Sequence, residues 1–272
     1  MIYDSFIFFN EIDLLKIRLE IYKDKIDKFI ICEADKTFSG NDKPYYYLEN
    51  KSLFKEYEDK IIYVPVELDT EGYDLNYKPE YMDFSSAYFK IEYNHRQGLG
   101  VAYQDLEDDD IVLLGDLDEF PSFEAIDFYK SRAVREPMCC ELAMFYYFIN
   151  CKKTDFEFWW KGNAICRGKE AKRKNGQALR RERGDSPLIR NGGWHFSYLG
   201  GIEQIKKKIQ AYAHQEFNNE NVLNNESLLE CLREGKDVLH RPGHSFSFVD
   251  LSIFPDYILS EFNKYPQFIS QP

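Results

Sequence analysis

The chain has 272 residues, with 44% apolar and 17% aromatic side chains, enough for one sizeable core and one domain over residues 1–272. Its 35 basic and 47 acidic residues leave a formal charge of −12, which argues against a nucleic-acid binder, since such a protein needs a basic footprint. No stretch approaches 18 consecutive apolar residues, so no membrane span is expected.

In chain order, residues 2–9 are apolar and β-rich and predict a strand. Ile12, Leu15, Leu19 and Tyr22 then recur at helical spacing through Lys23. Residues 29–32 and 61–66 read as buried strands, with a helical pattern over 47–57 between them. The strongest helical pattern covers 83–99, where Phe84, Ala87, Tyr88, Ile91, His95 and Leu99 share one stripe. An apolar strand at 111–114 follows, ending at Gly115, and Pro121 and Ser122 open a short helix to Tyr129. Alternating strands and helices predict an α/β fold with a mostly parallel central sheet flanked by helices.

Residues 139–149 predict a long strand, 202–212 a helix and 223–232 a further short helix. Residues 161–190 show little periodicity and carry ten Lys or Arg against three Asp or Glu. The expectation there is a Gly-containing basic loop: a solvated face, a lid closing over a phosphorylated ligand, or a dock for an anionic one. Cys32, Cys139, Cys140, Cys151, Cys166 and Cys231 include no C-x-x-C pair and read as reduced thiols. The first residues carry no basic n-region, so the expected location is cytoplasmic, with any membrane contact peripheral.

The chemistry concentrates after the strand at 111–114. In open α/β sheets, ligands bind beyond the carboxyl ends of the strands. Asp116 and Asp118 lie there with one residue between them, which points both carboxylates the same way if the chain stays extended. Two hard oxygen donors suit Mn²⁺ or Mg²⁺, which would neutralise a departing diphosphate; an acidic loop capping the next helix would look the same. His195, after Gly192 and Gly193, is a third ligand candidate or an ordinary core histidine. Glu33, Asn10 and Glu11 close the first two strands, where a carboxylate or amide reaches a ribose or base; Glu11 equally suits a helix N-terminus. Glu92 and Arg96 are spaced for an i,i+4 ion pair, and Arg96 also suits a nucleotide pocket.

Four blocks together resemble the family-17 glycosyltransferases, the group of the bisecting β-1,4-N-acetylglucosaminyltransferase: FFNEIDLLKIR at 8–18, ICEADKTFSG at 31–40, DIVLLGDLDEFP at 110–121 and GGWHFS at 192–197. The resemblance implies a GT-A type fold, a UDP-sugar donor and inversion at the anomeric carbon. It implies Asp116, Asp118 and His195 as the metal set. It makes Asn10, Glu11, Glu33, Arg96 and Asp116 donor contacts, N-acetylglucosamine the sugar, and a glycan or glycolipid the acceptor. Residues 1–120 would then be the nucleotide-sugar half and 121–272 the acceptor half. For the base that deprotonates the acceptor, Glu203 and Asp185 are the candidates, with Glu119 a further one. Two rivals remain open: a metal-dependent nucleotidyltransferase using the same aspartates, and a non-catalytic carbohydrate-binding protein. Asp118→Asn is expected to abolish transfer and leave the fold intact.

Overall fold

The computed structural model describes residues 1–132, 136–155 and 159–270. Its strands are β1 (Ile2–Phe8), β2 (Lys28–Ala34), β3 (Ile61–Val66), β4 (Ile111–Asp116), β5 (Glu119–Pro121), β6 (Met138–Tyr146), β7 (Cys151–Lys153), β8 (Trp159–Arg167), β9 (Leu188–Ser197) and β10 (Phe246–Phe248). The helices are α1 (Ile12–Tyr22), α2 (Tyr46–Glu49), α3 (Ala87–Gln97), α4 (Leu99–Tyr103), α5 (Phe123–Ser131), α6 (Gly168–Glu182), α7 (Gly201–Ala211), α8 (Asn225–Glu234) and α9 (Asp256–Phe262).

One sheet runs in the order β10-β7-β6-β8-β4-β1-β2-β3, with β9 paired to β5 and β6. The block β3-β2-β1-β4 is parallel, as expected. Strands β1 and β4 are buried nearly throughout because helices cover both faces, which is why they read as continuous apolar runs. Beyond β4 the sheet turns mixed, since β8 is antiparallel to both β4 and β6. The two halves therefore share one sheet. From β1 the chain steps outward to β2 and β3, then returns to β4 on the opposite side of β1. That reversal opens a crevice at the carboxyl ends of β1 and β4, the usual place for a ligand in such a sheet.

Three expectations shift. The helix predicted over 83–99 begins at Ala87, and Phe84 lies exposed before it. At Gly98 a β-carbon would stand 2.4 Å from a Val66 methyl, so only glycine lets α3 pass this close to β3 before α4 continues the path. The helix expected over 47–57 is one turn of α2 followed by a 3₁₀ segment, Lys51–Lys60, broken at Phe54. The basic segment 161–190 is no loop. It supplies most of β8, all of α6 and the start of β9, and β8 sits inside the sheet between β4 and β6. A lid made of the whole segment is thereby excluded. All six cysteines are buried and unbridged. Among the described residues no helix is long and apolar enough to cross a membrane.

Candidate active site

The segment after β4 is shaped from beneath by Arg18 of α1. Its guanidinium is fully buried, binds Asp4 through two hydrogen bonds of 2.7 Å, and donates to the carbonyls of Leu117 (3.0 Å) and Glu119 (2.5 Å). A buried cation is tolerated only when paired and hydrogen-bonded, and here both conditions hold. Arg18 thus fixes the backbone that carries the two aspartates, over a distance of about a hundred residues that no local pattern encodes.

The two aspartates face different partners. Asp116 Oδ1 accepts from Arg96 at 2.9 Å and Oδ2 from Arg180 at 2.6 Å. Arg180 also binds both oxygens of Glu119 at 2.6 Å, and Glu119 accepts from Trp160 Nε1 at 2.6 Å. Glu119 is thereby consumed as the buried counterion of Arg180 and is not free to act as a base. Asp118 Oδ2 accepts from Lys208 at 2.6 Å, and Oδ1 lies 3.3 Å from His195 Nε2. Burial alone would raise both aspartate pKa values, but the facing groups overcome it: Arg180 and Arg96 for Asp116, Lys208 and the His195 ring for Asp118. Both carboxyls are held well below the ordinary range.

A divalent ion fits the Asp118–His195 pair. The carboxylate oxygen and the imidazole nitrogen already converge, His195 Nδ1 is buried without a partner, and an O/N donor set suits Mn²⁺. Asp116, the other carboxylate of the expected metal set, faces arginines with both oxygens. Among the described residues no three His, Cys, Asp or Glu side chains gather round one point. His195 is brought there by the two glycines before it. A β-carbon at Gly193 would lie 2.0 Å from the Phe120 carbonyl, so β9 can pair with β5 at this register only with glycine.

The other predicted residues divide. Arg96 makes the expected ion pair, donating to Glu92 at 2.9 Å, and also donates to Asp116 at the cavity wall. Asn10 and Glu11 stand at the end of β1 beside Asp118 and Lys208, lining a small cleft of about 280 Å³; Asn10 Oδ1 accepts from Gln204 at 2.5 Å. Glu11 makes no ion pair among the described residues, and burial raises its pKa. Glu33 does not reach the site. Its oxygens accept from the Tyr46 and Tyr47 amides, Lys43 and Tyr63, so it caps α2. Glu203 is exposed and outside the cavity lining, because Gln204 and Lys208, one turn apart on α7, hold the inward face. Asp185 is exposed in the turn between α6 and β9, also outside the lining.

Above the aspartates opens a cavity of about 960 Å³. Among the described residues ten Lys or Arg line it against four Asp or Glu (Glu11, Glu92, Asp116 and Asp118), although the chain as a whole is acidic. The volume suits a ligand of nucleotide-sugar size, and the charge suits an anion. Lys208 and Trp160 were not singled out from the sequence, and Arg180 only as one cation of the basic segment 161–190. Lys208 had one usable signal, its i,i+4 spacing from Gln204 on the polar face of an amphipathic helix.

A crevice at the switch point, an acidic pair at the end of β4 and a basic cavity define a sugar-transfer type of site. The model of glycosyltransferase family 17 matches residues 1–258, and the chain belongs to that family. The protein is a glycosyltransferase, with the α/β sheet expected of the GT-A type. Similar solved structures are distant. The chain shares 13% identity with the galactosyltransferase LgtC in complex with donor and acceptor sugar analogs, covering 74% of this chain and 73% of that one at a TM-score of 0.36. It shares 13% with the Francisella tularensis 2-C-methyl-D-erythritol 4-phosphate cytidylyltransferase IspD, covering 70% and 90% at 0.36. The glycosyltransferase GlyE of Streptococcus pneumoniae TIGR4 shares 9%, covering 82% and 43% at 0.31. No curated protein matches the chain.

Proposed function

We propose that the enzyme inverts the anomeric centre while moving N-acetylglucosamine from its UDP-linked donor onto a glycan or glycolipid acceptor. The observation that carries the nucleotide-sugar reading is the basic cavity over the β1–β4 crevice of an otherwise acidic chain. The choice of UDP and of N-acetylglucosamine rests on family resemblance. The nucleoside lies at the β1 end against Asn10 and Glu11, and the diphosphate lies by Lys208. Asp118 and His195 would hold Mn²⁺ or Mg²⁺, which supplies charge neutralisation on the leaving diphosphate.

In the transfer step the acceptor oxygen bonds to the anomeric carbon, the bond from that carbon to the phosphate oxygen breaks, and UDP departs with the electron pair. The acceptor proton needs a carboxylate. Four line the cavity. Asp116 and Asp118 are locked to cations, and Glu11 lies on the nucleoside side. Glu92, on the Asp116 flank and partly exposed, pairs with Arg96 through Oε1 alone, and its Oε2 has no partner among the described residues, so Glu92 takes the role expected of Glu203 or Asp185.

Thermal shift with Mn²⁺ and a panel of nucleotide sugars tests the donor. At a hundredfold excess over Kd, a ligand of the folded state stabilises by about 2.7 kcal/mol, which corresponds to a rise of about 5 °C or more. UDP-N-acetylglucosamine is expected to give the largest rise. Hydrolysis of UDP-glucose or UDP-galactose ten times faster would remove N-acetylglucosamine as the sugar.

Glu11→Gln separates binding from stability. Because burial raises the Glu11 pKa in the folded state, its contribution to stability is full below the unfolded value and is lost as pH rises through the folded one. The neutral variant escapes that loss. It is expected to melt higher than wild type at pH 8, to converge with it in acid, and to bind UDP about tenfold more weakly through a lost charge-assisted hydrogen bond. A lower melting point at pH 8 would show that Glu11 has a stabilising partner.

A further inference from the structure

Of the ten cations lining the cavity, seven form ion pairs with carboxylates. Lys161, Arg181 and Arg183 form none among the described residues. All three stand on one wall, built by β8 and the carboxyl end of α6. Lys161 donates to the Gly184 carbonyl, and Arg183 to the carbonyls of Lys161 and Arg180. Backbone carbonyls orient these groups but carry no net charge to neutralise them. Arg183 is half-buried; burial and the neighbouring Arg180 push its pKa down to about 10, the mark of a cation held without a counterion. An uncompensated cation in a partly desolvated wall is costly unless an anion completes it.

The position of this wall separates it from the nucleotide. The crevice used by the nucleoside and diphosphate lies between β1 and β4, on the side of Asp118 and Lys208. The wall belongs to β8, which flanks β4 on the side away from β1. Between the two stands Asp116, already neutralised by Arg96 and Arg180. The wall also carries an aromatic ring. The Arg183 guanidinium lies 5.4 Å from the centre of the Trp160 ring, and that ring lies 5.4 Å from the His195 ring. The ring holds the Arg183 guanidinium in place, and a guanidinium with no carboxylate partner suits the negative group of an anionic sugar, which it pairs through charge-assisted hydrogen bonds.

We infer that this wall is the acceptor subsite and that the acceptor is an anionic sugar, one carrying a carboxylate or a phosphate. The inference rests on the donor assignment above, since it takes the β1 flank as already filled by UDP. The three cations then select the acceptor, with Trp160 positioning Arg183, while Lys208 and the Asp118–His195 pair serve the donor.

The test uses the full chain saturated with UDP and Mn²⁺, with glucuronic acid and glucose as a matched charged and neutral pair, binding being followed by saturation-transfer NMR and calorimetry. Wild type is expected to bind glucuronic acid at least tenfold more tightly than glucose, with a preference that weakens as salt is raised. Arg183→Gln should bring the ratio below about threefold while UDP affinity stays within twofold. Lys161→Gln with Arg181→Gln, both at exposed positions, should lower the ratio by about threefold and guards against misfolding of the Arg183 variant; Arg183→Lys should retain part of it. Equal binding of the two sugars, or binding of neither, overturns the inference. So does loss of UDP affinity in the Arg183→Gln variant, which would give the wall to the donor phosphates. Failure of wild type to bind UDP at all is a different result and removes the donor assignment itself.

Discussion

Asp118→Asn is expected to reduce transfer by at least a thousandfold and also to weaken the fold. The catalytic loss follows from geometry: Asp118 is the one carboxylate shared by Lys208, by His195 and by both cavities of the site. Removing a charge-stabilising group in a water-poor site typically costs two to three orders of magnitude, and this residue organises two such groups at once. The stability loss departs from the sequence-based expectation of an intact fold, in which Asp118 is a metal ligand or part of an acidic loop capping the next helix. In the structure it is the buried counterion of Lys208, whose pKa burial would lower but whose pairing with Asp118 and proximity to Glu11 raise instead. Breaking such a pair by neutralising one partner costs about 3 kcal/mol. The sign with pH follows from the depressed Asp118 pKa. Its stabilisation is present above the unfolded value near 4 and is lost as pH falls through the folded one, so the variant should differ most from wild type at neutral pH and least in strong acid. Calorimetry of UDP with and without Mn²⁺, beside urea unfolding, reads both effects. Wild-type metal-dependent UDP affinity in the variant would remove Asp118 from the site, and unchanged unfolding would remove it as the Lys208 counterion.

Sequence legibility followed the distance over which each feature is encoded. Strands β1 and β4 were readable because both faces are buried, and an unbroken apolar run has few other readings in an α/β chain. The acidic pair was readable because strand and ligand site are contiguous, and His195 because two glycines announced the close approach of β9 to β5. Strand β8 was hidden: Gly162 and Asn163 interrupt its pattern, yet both are buried where β8 passes under Leu142 and Gly115. Glu33 was misread because a carboxylate at a strand end looks the same whether it meets a ribose or two backbone amides. Arg18 and Lys208 escaped because each acts on a partner 90 to 101 residues away, a pairing that only the folded sheet creates.

Glu92→Gln is expected to lower kcat by about a hundredfold to ten-thousandfold, the usual worth of a positioned general base, with UDP affinity nearly unchanged. The substitution keeps the shape of the side chain and an oxygen for Arg96, which retains Asp116 and Gln177 as further partners. The site should therefore stay assembled while losing a proton acceptor. Loss of kcat without a change in donor binding marks an interaction made only in the transition state. Glu92→Asp, which keeps the carboxylate but draws it back by one methylene, should recover part of the rate. Glu203→Gln and Asp185→Asn, at exposed positions outside the lining, should behave as wild type. The alternatives then separate cleanly. A Glu92→Gln enzyme within threefold of wild type would move the base elsewhere, and a variant with weakened UDP binding would show that Glu92 acts through Arg96 and Asp116 on the donor. Glu92 stands close enough to Arg180 to feel its charge, so a base there would also bring the attacking hydroxyl toward the wall proposed for the acceptor.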